Sequence, residues 1–236
     1  MRVAIVDRLG LEFVELSGEA PPGGGAEAEA RALFERFEAA LVAHRLTLAD
    51  TVRSRLFARD RAARDAASAV RSAVLAGPAR AATSSYIAPR LFSSDAAVAM
   101  DLIALRSAPG LGKRVRENDP PRTPCRWIAC GPLMVLSGQT VVLPSLADQV
   151  TTDILPRITA YLAEEGTGWD RVAQVSCYLH ASETAAAVRD LFRRVVPVFP
   201  PLFEVRFVEG YSAEGKLVEI EVTALRAGLP GRTLLG

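Results

Sequence analysis

The chain has 236 residues, half of them hydrophobic, with 28 Lys plus Arg against 27 Asp plus Glu, enough apolar material for one large domain or two small ones. A formal net charge of +1 supplies no general attraction for nucleic acid or an anionic membrane, and no charge-free apolar run reaches the ~18 residues that a membrane helix needs. The expectation is a cytoplasmic protein with no nucleic-acid partner and no membrane partner.

Taken in chain order, the elements come twice. Leu11-Glu12-Phe13-Val14-Glu15 alternates as a strand does and runs into the turn Leu16-Ser17-Gly18-Glu19. Residues 28–44 place Leu33, Phe34, Phe37, Leu41 and Val42 three and four apart, the pattern of a helix with one buried face. Residues 48–59 begin as a turn and become a strand, residues 62–75 form a second amphipathic helix, and Pro78 stands just beyond it. Two strands close the unit, the last being Ala97-Val98-Ala99-Met100-Asp101-Leu102-Ile103-Ala104-Leu105. Residues 107–124 then gather Pro109, Gly110, Gly112, Pro120, Pro121 and Pro124 among charges, the composition of an exposed linker.

The same order follows. Leu133-Met134-Val135 leads into Leu136-Ser137-Gly138-Gln139, residues 152–165 carry a helical stripe of Ile154, Leu155, Ile158, Tyr161 and Leu162, and residues 169–180 align without a gap onto 48–59. Another helix is expected over 182–196, then Pro200, then the closing strand Leu217-Val218-Glu219-Ile220-Glu221-Val222-Thr223-Ala224-Leu225. Matching motifs with one-residue drifts mean a tandem duplication. The expected organisation is a first domain over 1–106, a Pro/Gly-rich linker over 107–124 and a second domain over 125–236. Each is α/β (α+β in the stricter sense), a mixed sheet with two helices packed on one face.

The repeated unit resembles the Rid family, also called YjgF-like or reactive intermediate deaminase proteins, whose fold is chorismate-mutase-like. The resemblance rests on Ser137-Gly138-Gln139 after the second strand, on the Asp-containing turn of 169–180, on Val218-Glu219-Ile220-Glu221, and in the first half on Pro78-Ala79-Arg80. It implies a homotrimer with substrate sites in clefts between neighbouring domains, and hydrolysis of a small carboxylate-bearing imine or enamine to a 2-oxo acid and ammonia. No metal and no cofactor is implied. A guanidinium would clamp the substrate carboxylate with two parallel hydrogen bonds, and an acid or backbone group would orient water and relay protons.

By that resemblance Arg80 is the carboxylate anchor, while the second half has Leu202 at the matching place. Arg206, four residues on and on the same strand face, is a substitute binding residue. The acid on the last strand is Glu219, replaced by Ala99 in the first half, with Glu221 and Asp101 two residues later. Catalytic roles therefore fall to Arg80 and Glu219, and substrate binding to Arg80, Ser137, Gly138, Trp127 and Arg206. The partner expected is a small anionic substrate. Three cysteines, Cys125, Cys130 and Cys177, lack metal-type spacing, and His44 and His180 are the only histidines. Two alternatives keep the fold: a chorismatase-like or amidohydrolase-like enzyme, or a degenerate, non-catalytic ligand-binding or assembly protein.

Overall fold

A computed structural model of the chain describes residues 1–106 and 112–226. The first unit opens with a hairpin, β1 (Arg2–Arg8) and β2 (Leu11–Glu19), reversed at Leu9 and Gly10, both at positive φ. Helix α1 (Gly25–Ala43) follows, then β3 (Thr51–Ala58), α2 (Arg61–Val74), β4 (Ala82–Ile87) and β5 (Val98–Leu105). The sheet order is β1-β2-β5-β3-β4. Every pair is antiparallel except β3 with β4, and a parallel pair needs a crossover, which α2 provides. Asp60 fixes where that helix starts, because its carboxylate accepts from the Ala63 amide at 2.8 Å.

The second unit repeats this topology. Strands β7 (Trp127–Cys130) and β8 (Leu133–Leu136) correspond to the first hairpin. A helical run then begins with α3 (Leu146–Asp148), passes through a π-type stretch, Gln149–Ile154, and continues as α4 (Leu155–Glu164). The sequence pattern placed that start six residues too late. The remaining elements are β9 (Val172–His180), α5 (Ala185–Val195), β10 (Leu202–Val208) and β11 (Val218–Leu225), with β9 and β10 as the parallel pair.

One strand is additional. Lys113–Arg116 forms β6, antiparallel to β7 with Arg116 opposite Trp127, so the second sheet has the order β10-β9-β11-β8-β7-β6. The sequence reading had made this segment exposed linker. Lys113-Arg114-Val115-Arg116 alternates inward and outward as an edge strand does, and the prolines that argued against structure lie beyond it. Pro109 and Gly110 of the expected linker lie outside the described residues.

Each sheet buries one face under its own helices. Val14, Leu16, Leu33, Phe37, Leu41 and Leu102 form the first such core, and Leu136, Ile154, Ile158, Val175, Phe192 and Ile220 the second. The helix-free faces turn toward each other. An apolar seam of Phe13, Val52, Leu105, Ile128, Leu133 and Val135 joins them, and Tyr86 of the first unit stacks on Tyr178 of the second with ring centroids 3.9 Å apart. Backbone also crosses the junction: the Gly138 amide donates to the Thr83 carbonyl at 3.2 Å, and the Ile87 amide donates to the Gly210 carbonyl at 2.8 Å. Strand β4, an edge of the first sheet, is thus tied at both ends to the second unit.

Candidate active site at the junction of the two units

Strand β11 brings two carboxyls to the junction. Its alternation sends Val218, Ile220 and Val222 into the helix-side core, which leaves Glu219 and Glu221 facing the first unit. The two are buried alike, at 5% and 1% exposure, yet their surroundings differ.

Glu221 is fully partnered. Arg53 reaches it at 2.7 Å and Arg55 at 2.8 Å, the Ser84 hydroxyl donates at 2.5 Å and the Tyr86 hydroxyl at 3.1 Å. Burial opposes its ionisation, but the two guanidinium groups outweigh burial and hold its pKa down to about 2. Sequence reasoning missed this cluster. Arg53 and Arg55 stand two apart in a segment already expected to be a strand, and two arginines on one face of an interior strand are themselves a signal of a facing acid.

Glu219 makes no hydrogen bond among the described residues. Its carboxyl lies directly on the Ser-Gly turn, where a Cβ on Gly138 would collide with it; a side chain at 138 is excluded by space rather than by φ. Burial, with the negative charge of Glu221 two residues away, pushes its pKa up to about 8, against the pull of Lys216, Arg71 and Arg64. Those cations are close enough to act but do not touch it. Arg64 and Arg71 belong to α2 of the first unit and Lys216 to the loop before β11. That loop is fastened to α2, since Arg61 donates to the Ser212 carbonyl at 2.9 Å.

The other residues singled out in the sequence are spread around this junction. Ser137 is fully buried beside it, its hydroxyl accepting from the Thr83 amide at 3.2 Å. Arg80 lies on the approach to β4, but its guanidinium already grips a carboxylate: Nε to Glu117 Oε1 at 2.8 Å and Nη2 to Glu117 Oε2 at 2.9 Å, with the Thr123 hydroxyl and Arg122 carbonyl accepting at 2.8 Å each. Trp127 is not brought to this place. Its indole sits in the helix-side core against Tyr161 and donates to Glu165 at 3.1 Å. Arg206 points elsewhere too, into the space between the sheets.

That space is a cavity of about 690 Å³ bordered by β1 and β2 on one side and β9 and β10 on the other, with Arg53, Arg55 and Glu221 on its wall and Leu202 and Arg206 on its rim. β1 pairs only with β2, and β10 only with β9, so the cavity opens between two unpaired strand edges. Among the described residues no cluster of three or more His, Cys, Asp or Glu side chains is placed to hold a metal, and no helix is long and apolar enough to cross a membrane.

No protein-family model matches the sequence, and no curated protein matches it. Among solved structures, the chain resembles a chorismatase over 95% of its own length and 79% of that chain, at 13% identity and a TM-score of 0.63. That likeness carries the two-unit fold and no chemistry. The chain is a tandem pair of alike α+β units. A protein of unknown function of the Rid family from Yersinia pestis matches 48% of this chain over 99% of its own, at 24% identity and a TM-score of 0.43. A YjgF-family member from Neisseria meningitidis matches 50% over 98% of its own, at 22% identity and a TM-score of 0.44. In this tandem pair the junction presents an acid from the second unit to basic residues of the first, an arrangement that one unit alone cannot make.

Proposed function

We propose that the protein is a Rid-like hydrolase that converts a small carboxylate-bearing imine or enamine to the 2-oxo acid and ammonia at the junction of its two units. The observation that supports this most is the Glu219 carboxyl: buried, unbonded, held against the backbone of Ser137 and Gly138, and shifted into the neutral range where one group can both give and take a proton. In its neutral form Glu219 donates a proton to the enamine carbon or the imine nitrogen, giving an iminium. The resulting carboxylate then takes a proton from the water that adds to the iminium carbon, and collapse of the carbinolamine releases ammonia. Water adds across C=N and nothing is oxidised, so the steps need neither metal nor redox cofactor.

Ammonia release from an imine generated in place by an amino-acid oxidase tests this reading. The wild-type chain should accelerate it and Glu219→Gln should lower the rate at least a hundredfold, about 3 kcal/mol of barrier. Because the acid form acts first, the rate should fall as pH rises through about 8. Absence of acceleration with a series of carboxylate imines rejects the hydrolase.

The open cavity between β1 and β10 supports the oligomer implied by the resemblance, since two exposed strand edges flanking an unfilled interior favour further pairing. A homotrimer would have three times the 25.3 kDa chain mass by light scattering, and a monomeric mass rejects it. Cytoplasmic location belongs to the same reading, in keeping with Cys125 and Cys177, which are buried and form no disulfide.

A further inference from the structure

The surroundings of Glu219 contain more positive charge than the protein uses. Glu221 is already matched by Arg53 and Arg55 and Arg64 also pairs with the exposed Asp65, which leaves Arg71 and Lys216 with Glu219 as the carboxyl that acts on them most. Arg71 is the deepest of them, 4% exposed. One of its terminal nitrogens donates to the Ser84 carbonyl at 2.5 Å, while its Nε–H has no partner. Arg64 pairs with Asp65 and donates to the Ser85 hydroxyl at 3.0 Å, and its Nε–H likewise has no partner among the described residues. Between them on the same face of α2, at the i, i+4, i+7 spacing, the Ser68 hydroxyl is buried and also without a partner. Three donors on one helix face, two of them on guanidinium groups, have no hydrogen-bond partner among the described residues and carry a desolvation cost.

A small anion would satisfy them. We propose that Arg71, flanked by Arg64 and Ser68, is the anchor for the substrate carboxylate at the Glu219 site, the role that the family resemblance implied for Arg80. The inference rests on the hydrolase reading for the identity of the substrate, a 2-imino or 2-enamino carboxylate, but the anion site itself does not. The carboxylate would lie against α2 of the first unit, leaving the imine carbon to face Glu219 of the second. Arg64 and Lys216 are only partly buried, whereas Arg71 and Glu219 are buried. Arg80 is not among the charges that act most on Glu219, and its guanidinium is engaged with Glu117.

Binding of 2-oxobutanoate, a product-class probe, and of its uncharged amide by calorimetry on the full chain tests the assignment. Wild type should bind the acid at least tenfold more tightly than the amide. Arg71→Lys, which keeps the charge but loses the fork, should weaken acid binding at least tenfold and amide binding by no more than twofold; a variant damaged only in its folding would lose both together. Arg64→Gln, at a partly exposed position, should weaken acid binding severalfold, and Arg80→Gln should leave it within twofold. Loss of acid binding in Arg80→Gln with retention in Arg71→Lys overturns the proposal, as does failure of wild type to bind the acid at 10 mM or to prefer it to the amide. Binding that follows this pattern without any imine turnover rejects the hydrolase and leaves the anion site standing.

Discussion

Glu219 and Glu221 stand two residues apart on β11, face the same way and are both buried, yet one is an anion and the other is held neutral into the slightly alkaline range. Burial does not decide between them. Nor does the mere presence of arginine, since each carboxyl has at least two basic neighbours. What differs is contact: Arg53, Arg55, Ser84 and Tyr86 all place a donor on Glu221, whereas Arg64, Arg71 and Lys216 stop short of Glu219. Charge–charge attraction weakens with distance while desolvation acts in full. One end of the junction is therefore a finished ion-pair cluster that binds the units together, and the other is an unfinished one.

The sharpest way to break this comparison is to neutralise each acid in turn. Glu221→Gln strands two buried guanidinium groups and should cost about 3–5 kcal/mol in urea unfolding. Glu219→Gln makes the same change of shape with no partner to lose, and at pH 8 it should leave stability unchanged or raise it. Equal losses in the two variants would mean that Glu219 is as well partnered as its neighbour.

The pH dependence of stability should separate the two ends next. Glu219 has a folded pKa near 8 against an ordinary value of 4.5, so between those limits the folded chain binds more protons than the unfolded one, and stability declines as pH rises. Glu221, near 2 instead of 4.5, binds fewer protons when folded, so its contribution is present above pH 4.5 and is lost as pH falls toward 2. In Glu219→Gln the decline above pH 4.5 should flatten, with the acid limb unchanged. An unaltered alkaline slope in thermal or urea melts counts against a neutral Glu219.

A smaller effect concerns the turn on which Glu219 rests. Gly138→Ala puts a methyl group into the space of the Glu219 carboxyl, an overpacking that should cost about 1–3 kcal/mol. Most of that cost should vanish when Glu219 is also replaced by Ala, a coupling that a double-mutant cycle measures. Additive losses would mean that Gly138 is required for its backbone and not for the room it leaves.

The duplication and the order of elements were legible because they rest on periodicity and spacing that survive in a single sequence. Strands 98–105 and 218–225 came within one residue of their observed bounds. Strand β6 was not legible, because its four residues adjoin a proline-rich segment whose composition dominates a local window, and what makes it a strand is pairing with β7. The site was half legible. Ser137, Gly138 and Glu219 carry a motif and do come together, but Arg64 and Arg71 look like the polar side of an ordinary amphipathic helix until a second unit covers them. Trp127 failed as a cleft residue because an aromatic on a buried strand is satisfied equally well on either face, and here Tyr161 and Glu165 hold it on the helix side. Long-range pairing, more than local pattern, is what one sequence withholds.

The smallest expected effect lies at Arg80. Its pairing with Glu117 is bidentate, but the two side chains are 15% and 33% exposed, and a partly solvated pair contributes little, about 1 kcal/mol or less. Glu117→Gln should therefore barely change the melting temperature, and Arg80 would still donate to the Thr123 hydroxyl and the Arg122 carbonyl. Its value is in binding. Removing Glu117 frees a guanidinium already shaped to clamp a carboxylate, close to the junction. If the anchor is on α2, affinity for 2-oxobutanoate stays within twofold of wild type, because the freed fork belongs to a different place. If affinity instead rises tenfold, the acid has gone to Arg80, Glu117 is a carboxylate that the chain holds in the substrate's position, and the contrast between the two ends of the junction has to be redrawn with Arg80 at its centre.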